Sequence, residues 1–292
     1  MSSIAYISDE KMIEYHRING NQTINFWRLS VKGFERFDVG DLLFFLDKRL
    51  IHPKTKEKGI IGYGRAKNIR TMSVKRTWEQ YDQMNGYTSY ETFEEAILNL
   101  TKDNSLPRQI QSIELEQVKF FAAPIYLNEV DFKLTKRLES FTYLEEDHSD
   151  VSLKLLEKGK RIGIDEWFTI IHDHALSEKD IEEDIHHQRI RDVLSKIRCE
   201  WTNIQETMIQ TNELIYKVGS IGYTYHGAKQ ASIYLPCSSL RNQIYELLGI
   251  SWVIKKELED IKFSFVICTK NQTSPEPYKA LIHRMNLELL DI

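Results

Sequence analysis

Aromatic rings, amides and guanidinium groups are concentrated between Asn25 and Tyr90, the part of the chain best equipped to bind a planar ligand. A stacked nucleic-acid base gains about 1–3 kcal/mol from an aromatic face, and amide or guanidinium groups can read the edge of the same base. Burial in an ordinary core is the alternative for each ring, and it is the commoner fate of large aromatic residues. The residues that we expect to bind a base are Asn25, Phe26, Trp27, Arg28, Tyr63, Trp78, Tyr81 and Asn85.

A basic segment follows within the same region, between Lys67 and Thr77. Lysine and arginine side chains supply most of the contacts that proteins make to phosphate groups. The expected phosphate-binding residues are Lys67, Arg70, Lys75 and Arg76. A solvated charged loop is the alternative interpretation of the same residues.

Two groups of histidines, His172-Asp173-His174 and His186-His187, contain side chains that bind metal ions elsewhere. Adjacent helical residues point to different faces, so His186 and His187 cannot easily share one ion. No HExxH or paired-carboxylate spacing accompanies them. We therefore expect surface or helix-capping histidines, with no metal site and no cofactor.

Strand and turn signals surround the candidate base-binding residues. Two apolar runs, 39–46 and 59–66, are joined by a polar loop, which is typical of a β-hairpin. Gly62 and Gly64 within the second run predict a bulge or a close approach of two backbones. A helix is expected from Ser89 to Leu100, with strand structure from Ile113 to Tyr126.

Four motifs in this order resemble the PUA-like superfamily, in particular EVE-type domains and their relatives at the N-terminus of HNH restriction endonucleases. The motifs are Phe26-Trp27-Arg28, Gly40-Asp41-Leu42, the Ile60-to-Gly64 glycine strand, and Trp78 followed by Asn85-Gly86. The resemblance implies a small β-barrel with flanking helices that holds a modified nucleobase in a pocket. It also implies that Trp27 and Trp78 lie near that pocket, and it implies no catalysis.

The chain is expected to contain two domains, at 1–172 and 173–292, in an α+β fold. The first is the PUA-like barrel, and the second is a mostly helical α+β domain that contacts the DNA backbone, dimerises or recruits an effector. Strands are expected at 219–225, 231–235 and 263–268, with a final helix at 276–290. Basic residues of a predicted helix are the candidates for backbone contact, and a solvated helix face is their alternative: Arg189, Arg191, Lys196 and Arg198.

The segment from His187 to Leu194 faintly resembles the helix that precedes an HNH nuclease fold, but no His-Asn-His constellation follows it. Glu257 and Glu259, ahead of the strand at 263–268, are the nearest acidic residues for a diverged nuclease site. No Walker, GxSxG or Rossmann motif is present.

Composition narrows the classes of protein further. A hydrophobic fraction of 41% is enough for a packed core, and a net charge of −4 excludes a wholly basic nucleic-acid protein while allowing a local basic face. Three widely spaced cysteines fit free thiols in a reducing compartment. Without a leader or an apolar run of membrane-spanning length, we expect a cytoplasmic protein that has no membrane partner.

The function expected from these features is binding of modified double-stranded DNA, with the modified base flipped into an aromatic pocket, in modification-dependent restriction or phage defence. A complete modification-dependent endonuclease that uses Mg²⁺ is one alternative, and an RNA-binding module is another. A homodimer and a separate effector subunit are both compatible with the sequence.

Overall fold

The computed structural model describes residues 2–133, 138–145, 150–172, 176–197, 215–269, 276–285 and 287–291. The chain divides into two compact units, Met1–Glu182 and Glu183–Ile292. The domain boundary expected from the sequence lies between residues 172 and 173. Both units combine helices with a β-sheet, so the α+β class expected from the sequence is confirmed.

The first unit is built on a six-stranded sheet in the order β2-β5-β4-β3-β1-β6. β1 runs parallel to β3, and the other neighbouring strands are antiparallel. Its elements are β1 (Ile4–Ile7), α1 (Glu10–Asn19), β2 (Ile24–Arg28), β3 (Leu42–Ile51), β4 (Lys58–Met72), α2 (Val74–Tyr81), α3 (Tyr90–Leu98), β5 (Ile110–Ile125), β6 (Phe141–Tyr143), α4 (Val151–Ile162) and α5 (Glu166–Ile171). Short 3₁₀ turns lie at Asp82–Asn85 and Leu127–Val130.

This sheet is strongly curled. The rings of Tyr6 on β1 and Phe26 on β2 lie 5.1 Å apart, although β5, β4 and β3 separate the two strands in the sheet. Neighbouring strands are about 4.8 Å apart, so a flat sheet would hold these rings far from each other. Phe45 lies 6.2 Å from Phe26 and 5.9 Å from Phe120 on the same enclosed side. Among the described strands, β2 and β6 remain edges that do not pair with each other.

The glycines of β4 allow this curvature. The β4–β5 register shifts between Ile60 and Gly62, and again between Tyr63 and Arg65. A Cβ atom on Gly62 would overlap the carbonyl oxygen of Lys119 on the neighbouring strand. The predicted bulge and close backbone approach are therefore confirmed.

The second unit contains a five-stranded sheet in the order β11-β10-β9-β8-β7. β7, β8 and β9 form an antiparallel meander, whereas β9, β10 and β11 are parallel. Its elements are β7 (Tyr216–Val218), β8 (Ile221–Gly227), β9 (Gln230–Cys237), α7 (Leu240–Glu257), β10 (Lys262–Thr269), α8 (Glu276–Arg284) and β11 (Leu287–Asp291). The helix α6 (Glu178–Lys196) precedes them and crosses the division between the units.

One predicted helix is too long. The structure ends α8 at Arg284 and places Leu287–Asp291 in β11, although a helix was expected up to residue 290. Leu287 and Leu289 alternate with polar or exposed positions, and β11 pairs in parallel with β10. A period of two residues suits an edge strand better than a helix.

Two helical glycines offer a matched test of packing. Gly159 in α4 faces the ring of Phe121, which a Cβ atom would overlap, whereas a Cβ atom on Gly249 in α7 would have no neighbouring atom within 4 Å. We expect Gly159→Ala to destabilise the protein by about 1–3 kcal/mol through overpacking. Gly249→Ala should instead stabilise it by about 0.5–1 kcal/mol through helix propensity. Thermal unfolding of both variants measures this difference, and a similar shift for the two would contradict it.

His16 predicts a loss of stability in acid. Its imidazole is fully buried in α1, and burial lowers its pKa from 6.5 to about 3. Between these pH values only the unfolded chain binds the proton, so stability falls by about 1.4 kcal/mol for each pH unit of that window as the pH decreases. We expect His16→Gln to reduce this slope in urea titrations between pH 6.5 and 4. The partly exposed His52, changed to Gln, serves as the control; a slope that His16→Gln leaves unchanged would contradict the assignment.

Candidate functional site

The alternation of β2 sends the expected base-binding residues to opposite faces of the sheet. Phe26 points to the enclosed side, where its ring contacts Tyr6 and Phe45. Arg28, two residues later, shares that side. Asn25 and Trp27 point to the opposite face, which we call the helical face because Trp27 packs there against Phe93 of α3.

On the helical face, Asn85 joins the turn after α2 to the sheet. Its Oδ1 accepts from Asn25 Nδ2 at 2.7 Å, and its carbonyl oxygen accepts from Trp27 Nε1 at 3.2 Å. Asn85 Nδ2 donates to the Asp82 carbonyl oxygen at 2.8 Å. Asn25 and Asn85 are fully buried, and Trp27 is 5% exposed. These three side chains hold the turn after α2 against β2.

The other aromatic candidates are packed in separate places. Trp78 is partly buried against Tyr90 and Phe93. Tyr81 is buried. Its pKa is raised mainly by this burial and further by the nearby Glu114 carboxylate. Tyr63 is fully buried between Phe44 and Phe121. The structure therefore does not bring the eight expected residues together around one pocket.

A cavity of about 310 Å³ lies instead beside the connection between β2 and β3, residues 29–41, which we call the β2–β3 loop. Loop residues form most of its wall, and the sheet contributes one residue from β4 and one from β5. The lining residues are Gly33, Phe34, Glu35, Arg36, Phe37, Asp38, Ile69 and Gln111. Of the expected base-binding residues, Arg28 contacts this wall through Gln111 and Phe34.

Arg28 connects the sheet to the loop. Its Nε donates to Gln111 Oε1 at 2.7 Å, and its Nη2 donates to the carbonyl oxygen of Lys32. The guanidinium carbon lies 3.8 Å from the centre of the Phe34 ring, a cation–π geometry. Arg28 is 7% exposed, and burial lowers its pKa while the Tyr6 phenol partly offsets that effect. An arginine stays protonated in spite of such a shift.

Further contacts hold the outer part of the loop. The Tyr143 hydroxyl accepts from the backbone N–H of Glu35 at 2.9 Å, and the Arg36 guanidinium lies 4.8 Å from the Tyr143 ring centre. The carbonyl oxygen of Arg36 accepts from the Ser2 backbone N–H at 2.6 Å. Asp41 Oδ2 accepts from the Asp38 backbone N–H at 2.9 Å. The cavity wall is thus held by Ser2, which precedes β1, by Tyr143 of β6, and by Asp41 at the end of the loop itself.

The expected phosphate-binding residues lie away from the cavity wall. Gln111 pairs with Thr71 and lines the cavity, so Arg70, which pairs with Ser112, points to the helical face. Lys67 forms an ion pair with Glu114 at 3.2 Å on that face. Lys75 and Arg76 are exposed in the first turn of α2. Lys32 and Arg36 of the β2–β3 loop are exposed, and Arg36 lines the cavity.

Sequence reasoning missed most of the cavity wall, in particular Phe34, Phe37 and Gln111. One signal was available, because Phe34 and Phe37 are two aromatic residues in a glycine-containing connection. Aromatic residues in a loop are more informative about binding than those in a strand. Gln111 carries no such signal, since its position depends on the pairing of β5 with β2.

The second unit contains a buried polar network along one face of α6. Glu183, His187 and Arg191 stand four residues apart. His187 Nε2 lies 2.6 Å from the Tyr223 hydroxyl, to which Arg191 Nη1 donates at 3.3 Å. The Tyr225 hydroxyl donates to the Glu183 carboxylate. The pKa of Tyr225 is raised mainly by burial and further by this hydrogen bond. The network fixes α6 on the strands β7 and β8.

These contacts correct one expectation about the histidines. His186 and His187 are 5% and 2% exposed, so the predicted surface position is wrong for this pair, because α6 packs onto the sheet. His172 Nδ1 lies 2.7 Å from the Phe168 carbonyl oxygen in the last turn of α5. Residues 173 and 174 fall outside the described residues. Within the described ranges, no group of three potential ligands could hold a metal ion.

Two of the basic residues expected to contact DNA, Arg189 and Arg191, are used in contacts within the protein. Arg189 forms a bidentate pair with Asp260 at 2.8 and 2.9 Å, and this pair lowers the pKa of Asp260 to about 2. Arg191 is part of the network on α6, and Lys196 is exposed. Arg198 falls outside the described residues.

The acidic nuclease candidates lie at the surface. Glu257 ends α7 and is exposed, and Glu259 pairs with Lys256 at 2.5 Å.

Over the parts of the chain that the structure covers, no helix has both the length and the apolar character needed to cross a membrane.

The network on α6 yields a test of stability. Tyr223→Phe removes the hydroxyl that serves both His187 and Arg191, which leaves buried polar atoms without that partner. We expect a loss of about 1–3 kcal/mol in the free energy of unfolding. Tyr245→Phe, at a side chain that is 79% exposed, is the matched control and should leave stability unchanged. Urea denaturation of both variants measures the difference; equal midpoints would show that the hydroxyl contributes nothing.

Comparison with known proteins finds solved structures that resemble about half of the chain. No protein-family model matches the chain, and no curated protein matches it. Among solved structures, the chain is similar to ASCH from Zymomonas mobilis, with 13% identity and a TM-score of 0.35 over 53% of this chain and 94% of that one. A serine-to-alanine mutant of the same protein gives 14% identity and a TM-score of 0.37, with 54% of this chain and 96% of that chain covered.

Proposed function

We propose that the first unit is a PUA-like module that binds nucleic acid and takes one flipped, modified base of double-stranded DNA into the cavity beside the β2–β3 loop. The observation that carries this proposal is the combination of a small cavity, aromatic walls and a buried guanidinium at one end of a curled sheet. The sequence motifs imply a small β-barrel. The first unit has a curled sheet whose edge strands, β2 and β6, do not pair with each other.

The size of the cavity suits one base. Its volume of about 310 Å³ lies at the low end of the roughly 300–1,000 Å³ typical of small-ligand pockets. A single heterocycle fits that scale, whereas a dinucleotide does not. A base that leaves the duplex costs a few kcal/mol in lost stacking and pairing, so the pocket must return a comparable free energy.

The cavity wall supplies the interactions that could return it. Phe34 and Phe37 provide aromatic surface, and stacking on such surface contributes about 1–3 kcal/mol per base. Arg28 fixes the position of Phe34 from behind, because its guanidinium lies 3.8 Å from that ring centre. Gln111 adds a polar group to the same wall. This combination of apolar walls and a few placed polar groups is the usual form of a ligand site.

Positive charge near the cavity supports contact with the phosphate backbone of DNA. Lys32 and Arg36 are exposed in the loop that forms the cavity wall. Phosphate contacts made by such cations position a protein on DNA without reading its sequence. The net charge of −4 requires that this attraction be local. The biological setting that fits is modification-dependent restriction, with the second unit serving as the attachment point for a partner or effector.

Binding to a panel of labelled duplexes tests the proposal. The duplexes share one sequence and carry cytosine, 5-methylcytosine, 5-hydroxymethylcytosine, glucosylated cytosine or N6-methyladenine, and a single-stranded RNA of the same sequence accompanies them. We expect selective binding to at least one modified duplex, and a loss of tenfold or more for Phe34→Ala because the stacking surface is removed. Trp78→Ala tests the helical face in the same assay and should retain selectivity.

Salt dependence provides the control for phosphate contact. The double change Lys32→Ala with Arg36→Ala should lower the affinity for every duplex and reduce the slope of log K against log salt by about two. Lys48→Ala with Lys54→Ala removes the same charge near the β3–β4 connection and should change neither quantity. Equal, weak binding to every duplex would refute the proposal, preference for RNA would favour the RNA-binding alternative, and magnesium-dependent fragments would favour the endonuclease.

A further inference from the structure

We infer that Gln111 selects, within the proposed base pocket, a base that carries an exocyclic amino group, of the cytosine or adenine class, over a base with an oxo group at the same position. This inference rests on the proposed function. It names the chemical class of base and the residue that determines it. The geometry of Gln111 and the acidic residues of the cavity wall carry the argument.

The orientation of the Gln111 amide follows from its partner. An arginine can only donate hydrogen bonds, so the atom 2.7 Å from Arg28 Nε must be the amide oxygen of Gln111. The amide NH₂ group is then directed away from Arg28. Gln111 is 4% exposed and lines the cavity, and no described residue accepts a hydrogen bond from its NH₂ group. The NH₂ group is therefore available to an acceptor on a ligand in the cavity.

The hydrogen bond from Arg28 also strengthens this donor. A charged donor on the amide oxygen polarises the amide group, and hydrogen bonds in such chains reinforce each other. Arg28 is held by the Lys32 carbonyl oxygen and by the Phe34 ring, so the amide is fixed before the ligand arrives. The pocket therefore presents an oriented donor at the β5 side of its wall.

The loop presents acceptors to the same cavity. Asp38 and Glu35 both line it, and their carboxylates can accept from an amino group, as acidic residues do from the N4 amine of cytosine. One Asp38 oxygen already accepts from the Val39 backbone N–H at 2.8 Å. These two carboxylates disfavour a phosphate inside the cavity, because like charges repel.

An amino-bearing base matches both sides of the pocket. Cytosine offers an amine as donor beside a ring nitrogen as acceptor, and adenine offers the same pair on its Watson–Crick edge. The Gln111 NH₂ group can donate to that ring nitrogen while a carboxylate accepts from the amine. Thymine and hypoxanthine carry an N–H at the ring nitrogen and a carbonyl oxygen in place of the amine, so a donor would face the Gln111 NH₂ group and an acceptor would face a carboxylate. A site built to bind a donor strongly rejects an analogue that lacks it, because buried polar groups are left unpaired.

Matched pairs of bases test this selection. One pair is 5-methylcytosine and thymine, which differ at position 4, and the other is adenine and hypoxanthine, which differ at position 6. Each base is placed opposite an abasic site in one duplex sequence, so that no base pair must break before it leaves the helix. We expect the wild-type chain to bind the amino member of at least one pair tenfold or more tightly than its oxo partner.

Gln111→Glu isolates the amide NH₂ group. The glutamate keeps an oxygen for Arg28 and replaces the donor by an acceptor, so the preference for the amino base should fall to less than threefold. Gln109→Glu makes the same chemical change at an exposed position outside the cavity wall and should keep the wild-type ratio. Thermal unfolding of both variants verifies that they fold.

The outcomes separate the inference from the proposed function. A wild-type chain that binds every duplex weakly and equally would refute the proposed function itself. Selective binding that Gln111→Glu leaves unchanged, or selective binding that favours the oxo members, would overturn the inference about Gln111 while the base pocket stands. Loss of the amino preference in Gln111→Glu, with Gln109→Glu unaffected, would establish both.

Discussion

A guanidinium group removed from water must be hydrogen-bonded on several sides, and the burial of Arg28 imposes this requirement on the first unit. Gln111 on β5, the Lys32 carbonyl oxygen and the Phe34 ring meet it together. A strand, its neighbour and an irregular loop are thereby tied to one side chain at the end of β2. The shape of the cavity wall depends on this contact, because the loop carries most of the lining residues.

The two faces of β2 divide structural and ligand-binding roles. Asn25 and Trp27 hold the turn after α2 through Asn85, and this buried polar contact leaves them little surface for a ligand. Phe26 and Arg28 point to the enclosed side, where the core ends and the cavity begins. A strand of five residues thus serves a helix–sheet contact on one side and a pocket wall on the other.

Local features of the chain were predictable, because short-range signals determine them. The helix expected from Ser89 to Leu100 is α3, which Ser89 caps with its hydroxyl accepting from the Thr92 backbone N–H, and the glycines of β4 mark the bulged strand. The placement of Gln111 was not predictable, since it depends on a partner 83 residues away in the sequence. Periodicity assigns a residue to a helix or strand but does not specify strand order or sheet curvature, and the cavity arises from both. Aromatic residues could be recognised as chemically capable, yet their distribution over separate packing environments required the fold.

The position of β1 has a consequence for how the first unit is assembled during synthesis. This strand lies between β3, to which it is parallel, and β6 at Phe141–Tyr143, and the backbone N–H of Ser3 donates to the Glu145 carboxylate at 2.6 Å. During synthesis β1 therefore cannot complete its pairing until β6, at residues 141–143, has followed it from the ribosome. Contacts of such long sequence separation fold slowly and leave strand edges exposed in the meantime. Nascent chains of this protein would depend on protection of β1 until β6 emerges.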